Sequence, residues 1–178
     1  MPTKKSKQSS VKNRSASFSS TVPRPRPALI ARIMRILTGA IEQMGVPVME
    51  KLADEQTSDP FQVLIGTMLS AQTKDAVTLA ASTRLFEVAA TPLALSKLSI
   101  RRIERLIYPV SFYHDKAKHL KATAAILLRK FSGDVPSNMP ELLSLPGVGR
   151  KTANLVLILS YQSLDNICVD THVHRISN

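Results

Sequence analysis

The stretch LPGVGRKTANLVLILSYQSLDNICVDTH, residues 145–172, decides how this chain folds and what it can grip. It opens with Pro146, Gly147 and Gly149, passes a cation pair at Arg150 and Lys151, and runs into Leu155-Val156-Leu157-Ile158-Leu159. A helix apolar on all sides belongs in a core. A lysine at its start is badly placed against the helix dipole. The residues before it also read as a short helix, so 139–160 is expected to be helix, tight Pro-Gly-Val-Gly turn, helix. Gly147 and Gly149 are expected to take backbone angles closed to other residues and to leave the main chain bare. The N–H groups of the turn and of the next helix's first turn would then point outward. That is an anion site made of main chain, suited to a phosphate. The alternative is a plain helical corner in which the glycines only cap a helix.

Beside such a site Lys151 acquires a purpose. The positive helix end favours the neutral amine, which makes Lys151 a candidate nucleophile toward an aldehyde-like carbon. The alternative is a solvated lysine touching phosphate. Asp170 follows 19 residues later, after Ile167-Cys168-Val169. Asp-Thr-His is the pattern of a helix N-cap. A carboxylate there could also stabilise positive charge on a reacting sugar and take a proton from an amine. His172 and His174 form an H-x-H pair without a third ligand in view, so capping or surface roles are expected before metal.

The charge of the whole chain is uneven. Of 178 residues, 24 are Lys or Arg and 13 are Asp or Glu, a net of +11. Nine of the cations precede the first acid, Glu42, and without them 15 cations face 13 acids. Any nonspecific phosphate attraction therefore resides mainly in the N-terminal arm, and if the remainder binds nucleic acid it must do so by geometry more than by bulk charge. Cys168 is the single cysteine, which excludes an internal disulfide and any all-cysteine metal site built from this chain. With Ile167 and Val169 beside it, it reads as a small buried hydrophobe. No apolar run is long enough to cross a bilayer.

Residues 1–27 are rich in Ser, Lys, Arg and Pro and are expected to be a disordered basic arm, stiffened at PRPRP (23–27). Their acid-free composition leaves an organelle transit peptide as a second reading. From Ala28 a helix carries Ile30, Ile33, Met34, Leu37 and Ile41 on one face and closes at Gly45 and Pro47. Ser58 or Asp59 should cap a helix with Pro60 in its first turn, ending near Ser70. Thr73 or Asp75 should cap the next, which carries Leu79, Leu85 and Phe86. Shorter helices fit 92–96 and 99–107. Residues 114–131 show a stripe of Ala117, Leu120, Ala124, Leu127, Leu128 and Phe131. The fold class is all-α, with many short helices.

Taken together, LPGVGRKTAN, VDTHVHR, LIGTMLSAQTKD (64–75) and FYHDKAKHL (112–120) resemble the endonuclease III family of helix-hairpin-helix, Gly/Pro-rich loop and aspartate DNA glycosylases. The resemblance covers roughly residues 28–178. It implies a six-helix barrel domain with a second helical domain and DNA between them. The implied division is arm 1–27, a second-domain helix in 28–54, the barrel in 55–165 with its hairpin at 139–160, and 166–178 opening the C-terminal part.

The implied activity is excision of oxidised pyrimidines from duplex DNA with abasic-site lyase cleavage, in a cytoplasmic, nucleoid-associated monomer. Lys151 would attack C1′ and Asp170 would assist. Gln72 would fill the space of the extruded nucleotide, and Phe112 would be the apolar wedge. Gly147, Val148, Gly149 and Arg150 would contact DNA. The ordinary alternatives are a helix end for Gln72 and a core position for Phe112. The family adds further helices and a four-cysteine [4Fe-4S] loop beyond the point matching Asn178. The expectation is therefore a C-terminally truncated chain with an incomplete second domain and weak or absent activity, the cluster belonging only to a longer parent. Competing readings are a noncatalytic DNA-binding module and an inactive helical fragment.

Overall fold

Asp59 and Pro60 show how this chain starts its helices. The Asp59 carboxylate accepts from the Phe61 N–H at 2.9 Å, and Pro60 takes the first turn, where its missing N–H costs nothing. The computed structural model describes residues 26–41 and 59–177, and among these every regular element is a helix. The chain divides into two compact units, Met1–Gly45 and Val46–Asn178.

In the first unit, α1 spans Pro27–Ile41, so the helix begins on the last proline of PRPRP. Its apolar side chains, Ile30, Ile33, Met34, Leu37 and Ile41 among them, are exposed. The remainder of the basic arm, the stop at Gly45 and Pro47, and Ser58 lie outside the described residues.

The second unit is built around α2 (Pro60–Ser70), of which Phe61 and all residues from Val63 to Leu69 are buried. The others follow as α3 (Asp75–Ala89), α4 (Pro92–Lys97), α5 (Ile100–Ile107), α6 (Tyr113–Lys130), α7 (Met139–Leu143), α8 (Arg150–Tyr161) and α9 (Thr171–Ser177). α2 packs against α3, α6 and α8, while α6 covers α4 and α5. Leu64, Ile65, Leu69, Leu120 and Leu127 are completely buried. Each such side chain contributes about 1.5–3 kcal/mol of hydrophobic stabilisation.

Local chemistry sets most boundaries. Thr91, Ser99 and Asn138 cap α4, α5 and α7 through side-chain acceptors. α3 differs from expectation: its N-cap is Lys74, without a side-chain cap bond, and Asp75 lies inside its first turn. Thr73 is not a cap because its hydroxyl is engaged elsewhere, by the Ser111 N–H at 3.3 Å and the Lys116 ammonium at 3.2 Å.

Cations from other helices hold three helix C-termini. Lys116 of α6 donates to Leu69 O and Ala71 O, both at 2.7 Å. Lys121, one turn later, donates to Ser96 O at 2.8 Å and to Leu98 O. Arg84 of α3 donates to Leu106 O at 3.0 Å and to Tyr108 O. These carbonyls lie in the last turns of the helices or just beyond them, where no following turn supplies an N–H, and the cations also meet the negative ends of the dipoles.

Candidate nucleic-acid interface and active site

The hairpin between α7 and α8 forms as the sequence suggests, but its two glycines serve different ends. Gly147 has φ +77°, and a Cβ there would lie 2.9 Å from His119 Nδ1 and 3.0 Å from His119 Cβ. The residue is glycine because of both its left-handed backbone and the His119 side chain on α6. Gly149, the N-cap of α8, has φ −95° and ψ 175°, open to any residue, and a Cβ there would meet nothing within 4 Å. The expectation of special backbone angles therefore holds for Gly147 alone. What Gly149 leaves is open space over the first turn of α8.

Val148 is placed differently from the glycines on either side. Its N–H is committed to Leu145 O at 3.2 Å and its side chain is buried, so it anchors the turn. Thr123 of α6 fixes the turn from below, its hydroxyl donating to Pro146 O at 3.0 Å. Arg150 and Lys151, the first residues of α8, are exposed. No side-chain cap occupies the N-terminus of that helix.

Lys151 and Asp170 come together. Lys151 Nζ lies 3.8 Å from Asp170 Oδ2. The two oxygens of Asp170 divide the work. Oδ1 accepts from the His172 and Val173 N–H groups, both at 2.9 Å, and so caps α9, while Oδ2 faces the amine. The Val173 N–H, helped by Lys151 and the His172 N–H, holds the Asp170 carboxyl below its ordinary range, and burial opposes this in part. Cys168 shifts the other way: burial raises its thiol pKa and Asp170 adds to the rise, with Lys151 opposing. Cys168 is half-buried rather than buried as expected, and its neighbours Ile167 and Val169 are exposed. The chain here has no regular structure between α8 and α9.

A cleft of about 540 Å³ lies beside the pair. Lys151, Thr152 and Leu155 form one wall, Thr67, Ser70, Gln72 and Asp75 another, with Thr171 and His172 at the α9 end. Gln72 is exposed at φ +56°, beyond the end of α2, so it projects from a left-handed turn. Phe112 also has φ +56° and is 66% exposed, which removes the core alternative for it. Among the described residues no group of three or more His, Cys, Asp or Glu side chains is placed to hold a metal ion.

Sequence reasoning missed three residues that support this site. Lys116 and Thr73 brace the loops carrying Gln72 and Phe112. His119 is the reason residue 147 lacks a side chain. All three lie in or beside the quoted motifs, but nothing in their spacing announces contacts across tens of residues.

A family model described as HhH-GPD superfamily base excision DNA repair protein matches residues 65–178. Endonuclease III homolog 2, chloroplastic, of Arabidopsis thaliana is 52% identical over 119 residues, covering 66% of this chain and 31% of that protein. Endonuclease III of Escherichia coli (strain K12) is 38% identical over 148 residues, covering 83% of this chain and 68% of that one. A solved structure of a trapped endonuclease III–DNA covalent intermediate, an estranged-adenine complex, aligns with TM-score 0.65 at 36% identity, covering 73% of this chain and 64% of that one. The chain belongs to the endonuclease III family of the HhH-GPD superfamily. It spans about a third of the length of the Arabidopsis relative it matches.

Members of this family usually carry a [4Fe-4S] cluster. That group takes four cysteine thiolates. With one cysteine, the residues of this chain do not fit it, and no step below runs through it.

Proposed function

We propose that this chain carries DNA N-glycosylase and abasic-site lyase chemistry of base excision repair, acting as a monomer on oxidised pyrimidines and abasic sites in duplex DNA. The observation that carries the proposal is the 3.8 Å approach of Lys151 Nζ to Asp170 Oδ2 beside a cleft that Gln72 also lines. The nucleotide is extruded, and its sugar meets the amine at the start of α8. Lys151 Nζ forms a bond to C1′ as the C1′–base bond breaks, and the departing base takes the electron pair. Asp170 Oδ2 stabilises positive charge at C1′ and accepts the proton the amine loses. The C1′–O4′ bond then breaks, O4′ takes the bond pair and the proton held by Asp170, and ring opening leaves an imine between Lys151 and C1′. Loss of a C2′ proton then expels the 3′ phosphate by β-elimination, and water releases the lysine. Open backbone at Gly149 and the exposed Arg150 hold a neighbouring phosphate. Gln72 and Phe112 enter the space left in the duplex.

The expected setting is nucleoid DNA in the cytoplasm. Import into an organelle is a second reading, favoured by the acid-free arm and by the chloroplastic Arabidopsis relative.

Borohydride reduction on an abasic-site duplex tests the reaction. A covalent adduct is expected from the unaltered chain and none from Lys151→Ala. An adduct that survives Lys151→Ala would remove Lys151 as the nucleophile, and no adduct from either would leave DNA binding without catalysis.

A further inference from the structure

Gln72 and Phe112, two of the four non-glycine residues with positive φ among the described residues, sit in the left-handed region at φ +56° with their side chains exposed. Such positions cost about 1–2 kcal/mol each and persist only where the surroundings enforce them. The two loops are far apart in sequence yet share one polar junction. The Lys116 ammonium donates to Leu69 O, Ala71 O and Thr73 Oγ1, a full set of three acceptors. Thr73 Oγ1 in turn accepts from the Ser111 N–H, immediately before Phe112. The first loop is thus pinned on both sides of Gln72, and the second is tied to the same hydroxyl. Lys116 itself lies on α6, whose first turn begins just after Phe112. Among the described residues no carboxylate pairs with Lys116, and burial lowers its pKa to about 8. An ammonium half-withdrawn from water with only neutral acceptors is not there as a surface ion pair.

We propose that Lys116 is a positioning residue: through Thr73 it locks the Gln72 and Phe112 loops into one rigid unit that enters the duplex on both sides of an extruded nucleotide. The inference rests on the DNA-repair reading above. It predicts that selectivity for a lesion, which needs the insertion, depends on the junction more than overall folding does.

The test uses the full chain with a duplex carrying a tetrahydrofuran abasic analogue opposite 2-aminopurine, beside an intact duplex. Lys116→Met should lower the ratio of abasic to intact affinity roughly tenfold, the scale of one or two lost charge-assisted bonds. The rise in 2-aminopurine fluorescence on binding should disappear with it. Thr73→Val, which keeps shape and removes the shared acceptor, should do the same to a smaller degree. The double variant should be no worse than Lys116→Met, because both act through one junction. In the free protein, amide exchange should quicken together in 71–73 and 110–112 in either variant. If Lys116→Met does not fold, Thr73→Val decides alone. Unaltered protein that discriminates, with variants that discriminate equally well, would overturn the clamp and leave the repair reading standing. Unaltered protein that does not prefer the abasic duplex would overturn both.

Discussion

Placing one methyl group at each hairpin glycine separates what the fold requires from what a ligand requires. In Gly147→Ala the new Cβ would lie 2.9 Å from His119 Nδ1, 3.0 Å from His119 Cβ and 3.1 Å from His119 Cγ. Ring rotation can relieve the first contact. It cannot move His119 Cβ, which is fixed to the backbone of α6. Overpacking of this kind costs about 1–3 kcal/mol, and holding an L-residue at φ +77° costs about 1–2 kcal/mol more. The expected loss is about 2–5 kcal/mol, read as a lower urea midpoint at unchanged slope by far-UV circular dichroism. Gly149→Ala should behave oppositely. Its backbone suits alanine and its Cβ meets nothing. The loss at an N-cap, up to about 1 kcal/mol, is offset by about 0.4–1 kcal/mol from a less flexible unfolded chain. Stability should therefore change little. If a DNA phosphate approaches that open backbone, the methyl group obstructs it, and affinity should fall by about 1–3 kcal/mol, roughly 5- to 150-fold. Fluorescence anisotropy with an abasic-analogue duplex at fixed salt measures this. Undiminished affinity in Gly149→Ala would refute the main-chain phosphate site, and a loss under about 1 kcal/mol in Gly147→Ala would refute the His119 packing account.

Asp170→Asn should retain the α9 cap, since asparagine caps as well as aspartate, and should slow single-turnover chemistry by about 10²–10⁴-fold with far less effect on binding. Equal losses in rate and affinity would mark Asp170 as structural only. Because the folded Asp170 carboxyl ionises below its ordinary range, its contribution to stability is present above that range and is lost as pH falls through the folded value. The acid limb of a stability–pH profile should flatten in Asp170→Asn. Lys116 gives the alkaline counterpart: its amine should titrate near 8, against 10.5 for an ordinary lysine, as followed by NMR of the side chain. The unfolded state then binds more protons between those values, so the Lys116 contribution to stability should rise with pH across that window and vanish in Lys116→Met. Deleting residues 1–27 should remove most of the salt dependence of DNA binding, and an unchanged slope would show that the arm does not touch DNA.

Several helices were legible because their starts are written locally. Asp59-Pro60, Thr91-Pro92 and Asn138-Met139-Pro140 each put an acceptor at the N-cap and a proline in the first turn. The start of α3 was not legible, because Thr73 is occupied by Ser111 and Lys116, partners more than thirty residues away. The same limit applied to the site. Lys151 and Asp170 could be nominated from chemistry and resemblance, but their 3.8 Å approach could not be read from the sequence. The division of labour between Gly147 and Gly149 could not be read, since it depends on His119 arriving from α6.

These long-range contacts also change what the charge count means. Past the arm the excess of cations over acids is already slight. Arg84, Lys116 and Lys121 are committed to carbonyls at helix C-termini, so their charge cancels internal dipoles before it can reach a phosphate. What faces outward instead is arranged backbone: the open first turn of α8 at Gly149, the left-handed turns at Gln72 and Phe112, and the capped start of α9 at Asp170. If the Gln72 and Phe112 loops enter a base stack as proposed, they must not yield, and Lys116 is the cation that braces them. A unit built this way should bind DNA with a shallow salt slope but strong preference for a duplex that already lacks a base. Preference without charge is what geometry alone can supply.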